Sequence, residues 1–149
     1  MRTLFASLLL AASLCAGAQI GQNFPTPVLP DQYDNFHQIG GDDQRVIVSF
    51  EKDISGAIND YLKTKPKGFL FDKRTKYVSD ISPMPTVITN MFALPKMRDY
   101  DYPVLLIYDE KGAKLDKRDG QITVYGIDNG IVTSIDYITP AGLPKLFGE

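Results

Sequence analysis

The sequence of 149 residues contains one cysteine, one histidine and no tryptophan. The cysteine, Cys15, lies in an apolar N-terminal run, so every residue from Ala16 onward lacks a thiol. A disulfide therefore cannot stabilise the rest of the chain, and the hydrophobic core has to stabilise the fold without one. Zinc sites that combine several His and Cys ligands are excluded as well, and no Asp-x-Asp-x-Asp-Gly calcium loop is present, so we predict no metal site.

The sequence also lacks a marked excess of either charge and, after its N-terminus, long hydrophobic runs. The formal net charge is −2, from 16 basic and 18 acidic side chains that are well mixed along the chain. Nothing resembles the basic stripe that nucleic-acid binding requires. After the N-terminal run, no apolar segment approaches the roughly 20 residues of a membrane-spanning helix. We therefore predict no nucleic-acid partner and no membrane span.

The N-terminus has the order of a secretory signal peptide. Arg2 supplies a positive charge, Leu4 to Leu14 form an apolar stretch, and Ala16-Gly17-Ala18 is a small-residue cleavage site. The apolar stretch is too short to cross a bilayer. We predict cleavage after Ala18, which makes Gln19 the new N-terminus.

Cleavage at this place divides the chain into a signal peptide, residues 1–18, and a single periplasmic domain, residues 19–149. It also removes Cys15, so disulfide exchange and thiol peroxidase chemistry would lose their reacting group. Two alternatives stay open. The chain could be a lipoprotein anchored at Cys15, or its apolar N-terminal stretch could be a buried helix.

Hydrophobic periodicity predicts the order β-α-β-α-β-β-β behind an irregular, proline-rich arm at residues 19–43 that carries one or two short strands. The first helix is expected from Ile54 to Leu62 with Asp53 as its cap. An Asn129-Gly130 turn joins the last two strands, because both residue types tolerate positive φ. The tail from Thr139 is expected to form a short turn or helix. The expected strands span residues 46–50, 77–81, 103–108, 121–127 and 131–138.

The segment after the second strand has the clearest helical pattern. Ser82 suits the N-cap, Pro83 the first helical position, and Pro95 is expected to end the helix. Its apolar residues are expected to pack into the core, although a Met-rich stripe could also line a cofactor. These residues are Met84, Val87, Ile88, Met91 and Phe92.

This order of elements resembles the thioredoxin-like fold, an α/β fold with a mixed central sheet flanked by helices, here with an extended N-terminal arm. The arm from Phe24 to Gln32 (FPTPVLPDQ) resembles the entry of peroxiredoxin-like and exported thioredoxin-like domains. Tyr102-Pro103-Val104-Leu105 opens a strand as the cis-proline segment of thioredoxins does. Where a thioredoxin carries Cys-x-x-Cys, this chain has Lys52-Asp53-Ile54-Ser55, which cannot supply a thiolate.

A second resemblance involves two runs, Ile81 to Tyr100 (ISPMPTVITNMFALPKMRDY) and Val104 to Glu110 (VLLIYDE). They resemble a family of small exported proteins of Gram-negative bacteria, some of which are labelled "FAD/FMN-containing dehydrogenase". That label implies FMN or FAD as a cofactor. The sequence has no Gly-x-Gly-x-x-Gly turn to hold a dinucleotide pyrophosphate, so the residues themselves predict no cofactor.

The densest polar and aromatic cluster spans residues 96–102 (KMRDYDY), on the face that binds the substrate peptide in thioredoxin-like folds. Its arginine could grip a carboxylate or phosphate with two hydrogen bonds, and its tyrosines could stack on a ring or line a groove. The alternative is a plain loop in which Arg98 pairs with Asp99 or Asp101. The predicted ligand or partner contacts are Arg98, Tyr100, Tyr102 and Pro103.

Three other polar groups are weaker candidates. Ser55 is expected to cap the helix or face solvent, because no base for a nucleophile is identifiable nearby. His37 is expected to be a loop histidine with a satisfied hydrogen bond, although a role as general base or sensor is conceivable. Lys73-Arg74-x-Lys76 is expected to be a solvated face.

These features together predict an exported, non-redox thioredoxin-like protein that serves as a binding or accessory module in the periplasm. We lean towards no enzymatic activity. Its partner is expected to be a periplasmic protein or a small molecule. The alternative is a flavin-binding oxidoreductase or carrier, which would show a flavin absorption band after purification.

Overall fold

A computed structural model of the protein describes residues 17–149. Five strands form one mixed sheet, and two shorter strands pair in a separate antiparallel hairpin within the arm. The hairpin strands are Val28–Pro30 (β1) and Phe36–Gln38 (β2). The sheet strands are Arg45–Ser49 (β3), Thr75–Asp80 (β4), Leu105–Ile107 (β5), Ile122–Asp128 (β6) and Ile131–Ile138 (β7).

Helices connect the parallel strands. Between β3 and β4 lie α1 (Lys52–Lys63) and α2 (Phe69–Asp72). Between β4 and β5, three helical pieces run together as the helical segment 86–97: α3 (Thr86–Ile88), a π-helical turn (Thr89–Ala93) and α4 (Leu94–Met97). Shorter helices follow at Glu110–Lys114, Pro140–Gly142 and Leu143–Leu146 (α5). Within residues 17–149, no helix has the length and apolar character needed to cross a membrane.

The sheet has the order β5-β4-β3-β6-β7. β3, β4 and β5 are parallel, as helical crossovers require, while β6 and β7 are antiparallel. Asn129 and Gly130 form the tight turn between β6 and β7, with φ of 48° and 78°. The predicted mixed α/β architecture and the predicted hairpin are therefore confirmed.

The two faces of the sheet are covered differently. Ile47 of β3 points to a core built with Ile54, Ile58 and Leu62 of α1. Its neighbour Val46 points to the opposite face, because side chains alternate along a strand. Helices cover the face to which Ile47 points, and arm residues cover the face to which Val46 points. The arm residues in this second core are Phe24, Leu29 and Ile39.

The predicted limits of both helices need correction. α1 begins at Lys52, so Asp53 lies in its first turn and does not cap it. The second helical segment begins at Thr86, after a turn in which the amide of Ser82 donates to Asp80 Oδ1. Pro95 does not end the helix. It lies inside the helical segment 86–97, directly after the π-helical turn, and the backbone before and after it is helical.

The described chain begins inside the fold. Ala18 is buried, and its amide donates a 3.1 Å hydrogen bond to Asp116 Oδ2. The hydroxyl of Tyr125 donates to the same oxygen at 2.9 Å. The predicted signal peptide otherwise lies outside the described residues. Cleavage after Ala18 stays a prediction, and it would remove a residue that belongs to this core.

A chain that begins at Gln19 is expected to be less stable than one that begins at Gly17. It loses the Ala18 hydrogen bond and a buried methyl group, so its free energy of unfolding should fall by about 1 kcal/mol. Urea unfolding of the two purified forms measures the difference. Equal midpoints would show that Ala18 adds nothing to the folded state.

Candidate functional site

Arg98, the first predicted contact, lies at the C-terminal end of α4 with its side chain exposed. Its Nε atom donates a 2.9 Å hydrogen bond to the backbone carbonyl of Gln32 in the arm. The Tyr33 hydroxyl donates to the carbonyl of Arg98. Within the described part of the chain, no ion pair joins Arg98 to Asp99 or Asp101. Arg98 therefore ties its loop to the arm and does not form the pair that a plain loop would have.

Tyr100 and Tyr102 stack on each other, with ring centroids 5.2 Å apart. Tyr102 is buried, and its hydroxyl donates a 2.8 Å hydrogen bond to Asn59 Oδ1 on α1. Burial raises the pKa of Tyr102, so its hydroxyl stays neutral. Tyr100 is half-buried, with the Lys63 ammonium 5.3 Å above its ring. Of the two rings, only Tyr100 offers surface to a ligand.

Pro103 is partly exposed, and the peptide bonds of the described residues are all trans. The resemblance to a cis-proline segment therefore does not hold at this position. The following residue, Val104, donates its amide to Gln32 Oε1 at 2.9 Å and leads into β5 at the edge of the sheet. The loop thus places Arg98, Tyr100 and Pro103 at the surface, while Tyr102 supports them from below.

A cluster of hydroxyl groups lies at Ser55, in the segment where a thioredoxin would carry its cysteine pair. Ser55 Oγ on α1 lies 2.7 Å from Ser49 Oγ at the end of β3. Ser49 also reaches Ser79 Oγ at 3.3 Å and the Tyr77 hydroxyl at 3.4 Å. The expectation that Ser55 caps the helix or faces solvent is therefore wrong, because its side chain makes no cap hydrogen bond and is partly buried. Because these hydroxyl groups satisfy one another without a base, the cluster links β3, α1 and β4 rather than forming a nucleophile.

The helical segment 86–97 presents an apolar stripe to solvent. Val87, Met91 and Phe92 are 63%, 65% and 63% exposed, and Ile88 is 43% exposed. The prediction that these residues pack into the core is wrong. We call the four residues the apolar stripe.

The opposite face of this segment contacts the core. Thr89, within the π-helical turn, is buried, and Leu94 and Met97 pack partly buried against the core of α1. Met84, which precedes the segment, also packs partly buried against this core, as predicted. The segment therefore has more apolar residues than one face can bury. Periodicity identified an apolar face, but it could not tell which of two apolar faces the sheet would cover.

His37 lies in β2, and its Nε2 atom is 2.7 Å from Asp31 Oδ2. The expected satisfied hydrogen bond is present, although the residue is in a strand and not in a loop. Asp31 is buried and also accepts hydrogen bonds from the amides of Tyr33 and Asn35. Across residues 17–149, no group of three or more His, Cys, Asp or Glu side chains is placed to hold a metal ion.

The fold matches solved structures. A thioredoxin-like protein from Porphyromonas gingivalis superposes with a TM-score of 0.52 at 12% identity, covering 85% of this chain and 92% of that one. A putative protein disulfide isomerase from Bacteroides thetaiotaomicron gives 0.54 at 14% identity, covering 87% and 86%. A thiol-disulfide oxidoreductase from Bacteroides fragilis gives 0.52 at 12% identity, covering 86% and 97%. No family model and no curated protein matches the sequence.

These likenesses establish a thioredoxin-like fold, and at such low identity they show the fold alone. The names of the neighbours nevertheless contradict the prediction of a non-redox binding or accessory protein, and with it the leaning towards no enzymatic activity. That prediction equated the missing cysteine pair with a missing redox role. None of the three neighbours is named for a flavin, so the flavin alternative gains no support either.

Proposed function

We propose that this thioredoxin-like protein works in thiol–disulfide chemistry by binding cysteine-containing polypeptides on the apolar stripe. The observation that carries the proposal is the exposure of Val87, Met91 and Phe92 on one helical segment. Contiguous exposed apolar side chains of this kind mark interaction surfaces. An unfolded polypeptide offers apolar side chains to cover them, and each side chain that becomes fully buried contributes about 1.5 to 3 kcal/mol.

The link to thiol–disulfide chemistry rests on the named activities of the structural neighbours. Residues 17–149 contain no cysteine, so the reacting sulfur atoms in this proposal belong to the bound polypeptide. With glutathione disulfide as oxidant, two thiols of the polypeptide become one disulfide. Glutathione disulfide is reduced to two glutathione thiols, which take up the two protons. The protein's part is to hold the reduced polypeptide in reach of this exchange.

The surroundings of the stripe and the predicted location fit this role. Arg98 and Tyr100 follow the stripe in the chain, and we expect them to contact the same polypeptide through its carboxylate and apolar groups. The predicted periplasmic location is a compartment in which disulfides form. Cys15 is not needed, so the proposal stands whether or not cleavage after Ala18 removes it.

Replacing Phe92 by lysine is expected to weaken binding of reduced, unfolded lysozyme about tenfold, because one large apolar contact is lost. The matched control is Phe71→Lys, since Phe71 is 84% exposed on α2 and lies outside the stripe. Its binding should equal that of the wild type. Because this protein contains no tryptophan, the tryptophan fluorescence of lysozyme reports the titration directly.

The redox part is measured separately, as the rate at which native lysozyme disulfides form in a glutathione buffer. Wild-type protein should change that rate, and Phe92→Lys should not. Binding without any change in disulfide formation would sink the redox role. An equal loss of binding in Phe71→Lys would remove the stripe as the site. A dimer in gel filtration that Phe92→Lys dissociates would assign the stripe to a second copy of the chain.

A further inference from the structure

A second candidate site lies where β3 begins, at the end of the strand away from Ser49 and the hydroxyl cluster. A cavity of about 300 Å³ opens there between the end of α2, the start of β3 and α5. Three basic side chains and one acidic side chain line it: Arg45, Lys73, Arg74 and Asp72. The cavity therefore carries an excess of two positive charges, which distinguishes it from the mixed charge of the chain as a whole.

Arg45 is the central basic group. It is the first residue of β3 and is half-buried, with its guanidinium 5.2 Å from the ring centroid of Phe147. Among the described residues, no carboxylate lies within 4.0 Å of this guanidinium. Burial lowers the pKa of Arg45, which reflects the cost of holding an unpaired charge there. Contact with a ring leaves its N–H donors free for an anionic partner.

The turn before β4 brings the other two basic groups to Arg45. Arg74 has a φ of 49°, and its carbonyl accepts hydrogen bonds from the amides of Gln44 and Arg45. Lys73 donates through Nζ to the carbonyl of Phe147 at 3.2 Å. These bonds fix the turn before β4 against the start of β3 and against Phe147. Lys73 and Arg74 are exposed, as the predicted solvated face requires, and these bonds in addition place both residues beside Arg45.

We propose that this cavity binds a phosphate group, either as inorganic phosphate or as the ester of a small molecule. Guanidinium groups match phosphate oxygens with paired hydrogen bonds, and a dianion balances the excess of two positive charges. The cavity volume is at the lower end of the range for small-molecule sites, which favours a small polar ligand over a large apolar one. This site is independent of the apolar stripe and of the function proposed for it.

Titration calorimetry of the wild-type chain with inorganic phosphate, at constant ionic strength, should give a saturable binding curve. Arg45→Gln and Arg74→Gln should each weaken binding at least about tenfold, because a charged hydrogen-bonding partner is lost. Arg74→Gln keeps the test valid if Arg45→Gln fails to fold. The control is Arg118→Gln, whose guanidinium lies over Tyr137 outside the cavity, and its binding should be unchanged.

A parallel titration with glycerol phosphate distinguishes the two sources of the ligand. Tighter binding than that of inorganic phosphate would identify a phosphate ester, and equal or weaker binding would identify the free ion. The proposal is overturned if phosphate gives no saturable curve. It is equally overturned if Arg118→Gln loses as much affinity as the two cavity variants, because general charge would then account for the binding.

Discussion

A Gln32→Ala protein is expected to lose about 3 kcal/mol of its free energy of unfolding, because removing the buried side-chain amide of Gln32 leaves three backbone groups without hydrogen-bond partners. Gln32 is 0% exposed. Its Oε1 accepts from the amide of Val104, and its Nε2 donates to the carbonyls of Tyr102, at 2.8 Å, and Met97, at 3.2 Å. One side chain thus fixes the arm to the loop that carries the predicted contacts.

Urea unfolding measures this loss, and Gln38→Ala is the matched control. Gln38 lies in β2 of the same arm but is exposed, so its removal should change stability by less than about 0.5 kcal/mol. Hydrogen exchange adds a local readout, since the amide of Val104 should exchange much faster in Gln32→Ala. A loss below about 1 kcal/mol would show that the Gln32 side chain is not needed to hold the arm, and that its apolar residues and the bonds of Arg98 and Tyr33 suffice.

The bonds of Gln32 show what a sequence pattern cannot reach. Its partners lie 65 to 72 residues away in the chain, so no local periodicity points to them. The same holds for the basic cavity, where Arg45 meets Lys73 and Arg74 only because the pairing of β3 with β4 sets Arg45 opposite Thr75. Sequence reasoning saw the basic pair without Arg45, and a solvated face was the natural interpretation.

Local signals were sufficient for the order of elements. The Asn129-Gly130 turn and the alternation in β3 depend on residue types within a few positions of each other, and the parallel pairing follows from the helices that lie between the strands. The candidate site required more. The apolar stripe was recognised as a helical pattern, yet its exposure depends on competition with Leu94 and Met97 for one surface of the sheet. Position in the fold, and not periodicity, decides which apolar face becomes available to a partner.

The protein is expected to lose stability in acid partly through Asp31. Burial alone raises the pKa of Asp31, but hydrogen bonds from His37 and from the amides of Tyr33 and Asn35 outweigh it and hold that pKa below its usual value. The carboxylate is therefore favoured in the folded state. Its contribution is fully present above the unfolded pKa of about 3.9 and disappears as pH falls through the lower folded pKa.

The comparison of wild type with Asp31→Asn isolates this effect, because asparagine keeps the shape and loses the charge. At pH 7 the variant should be about 1 to 3 kcal/mol less stable, the usual worth of hydrogen bonds to a charged group. The difference should shrink below about pH 4 and approach zero once Asp31 is protonated. Asp136→Asn, at an exposed position on β7, should show no such pH-dependent difference. If the Asp31→Asn difference stayed constant from neutral pH into acid, the pairing of Asp31 with His37 would act through shape and not through charge.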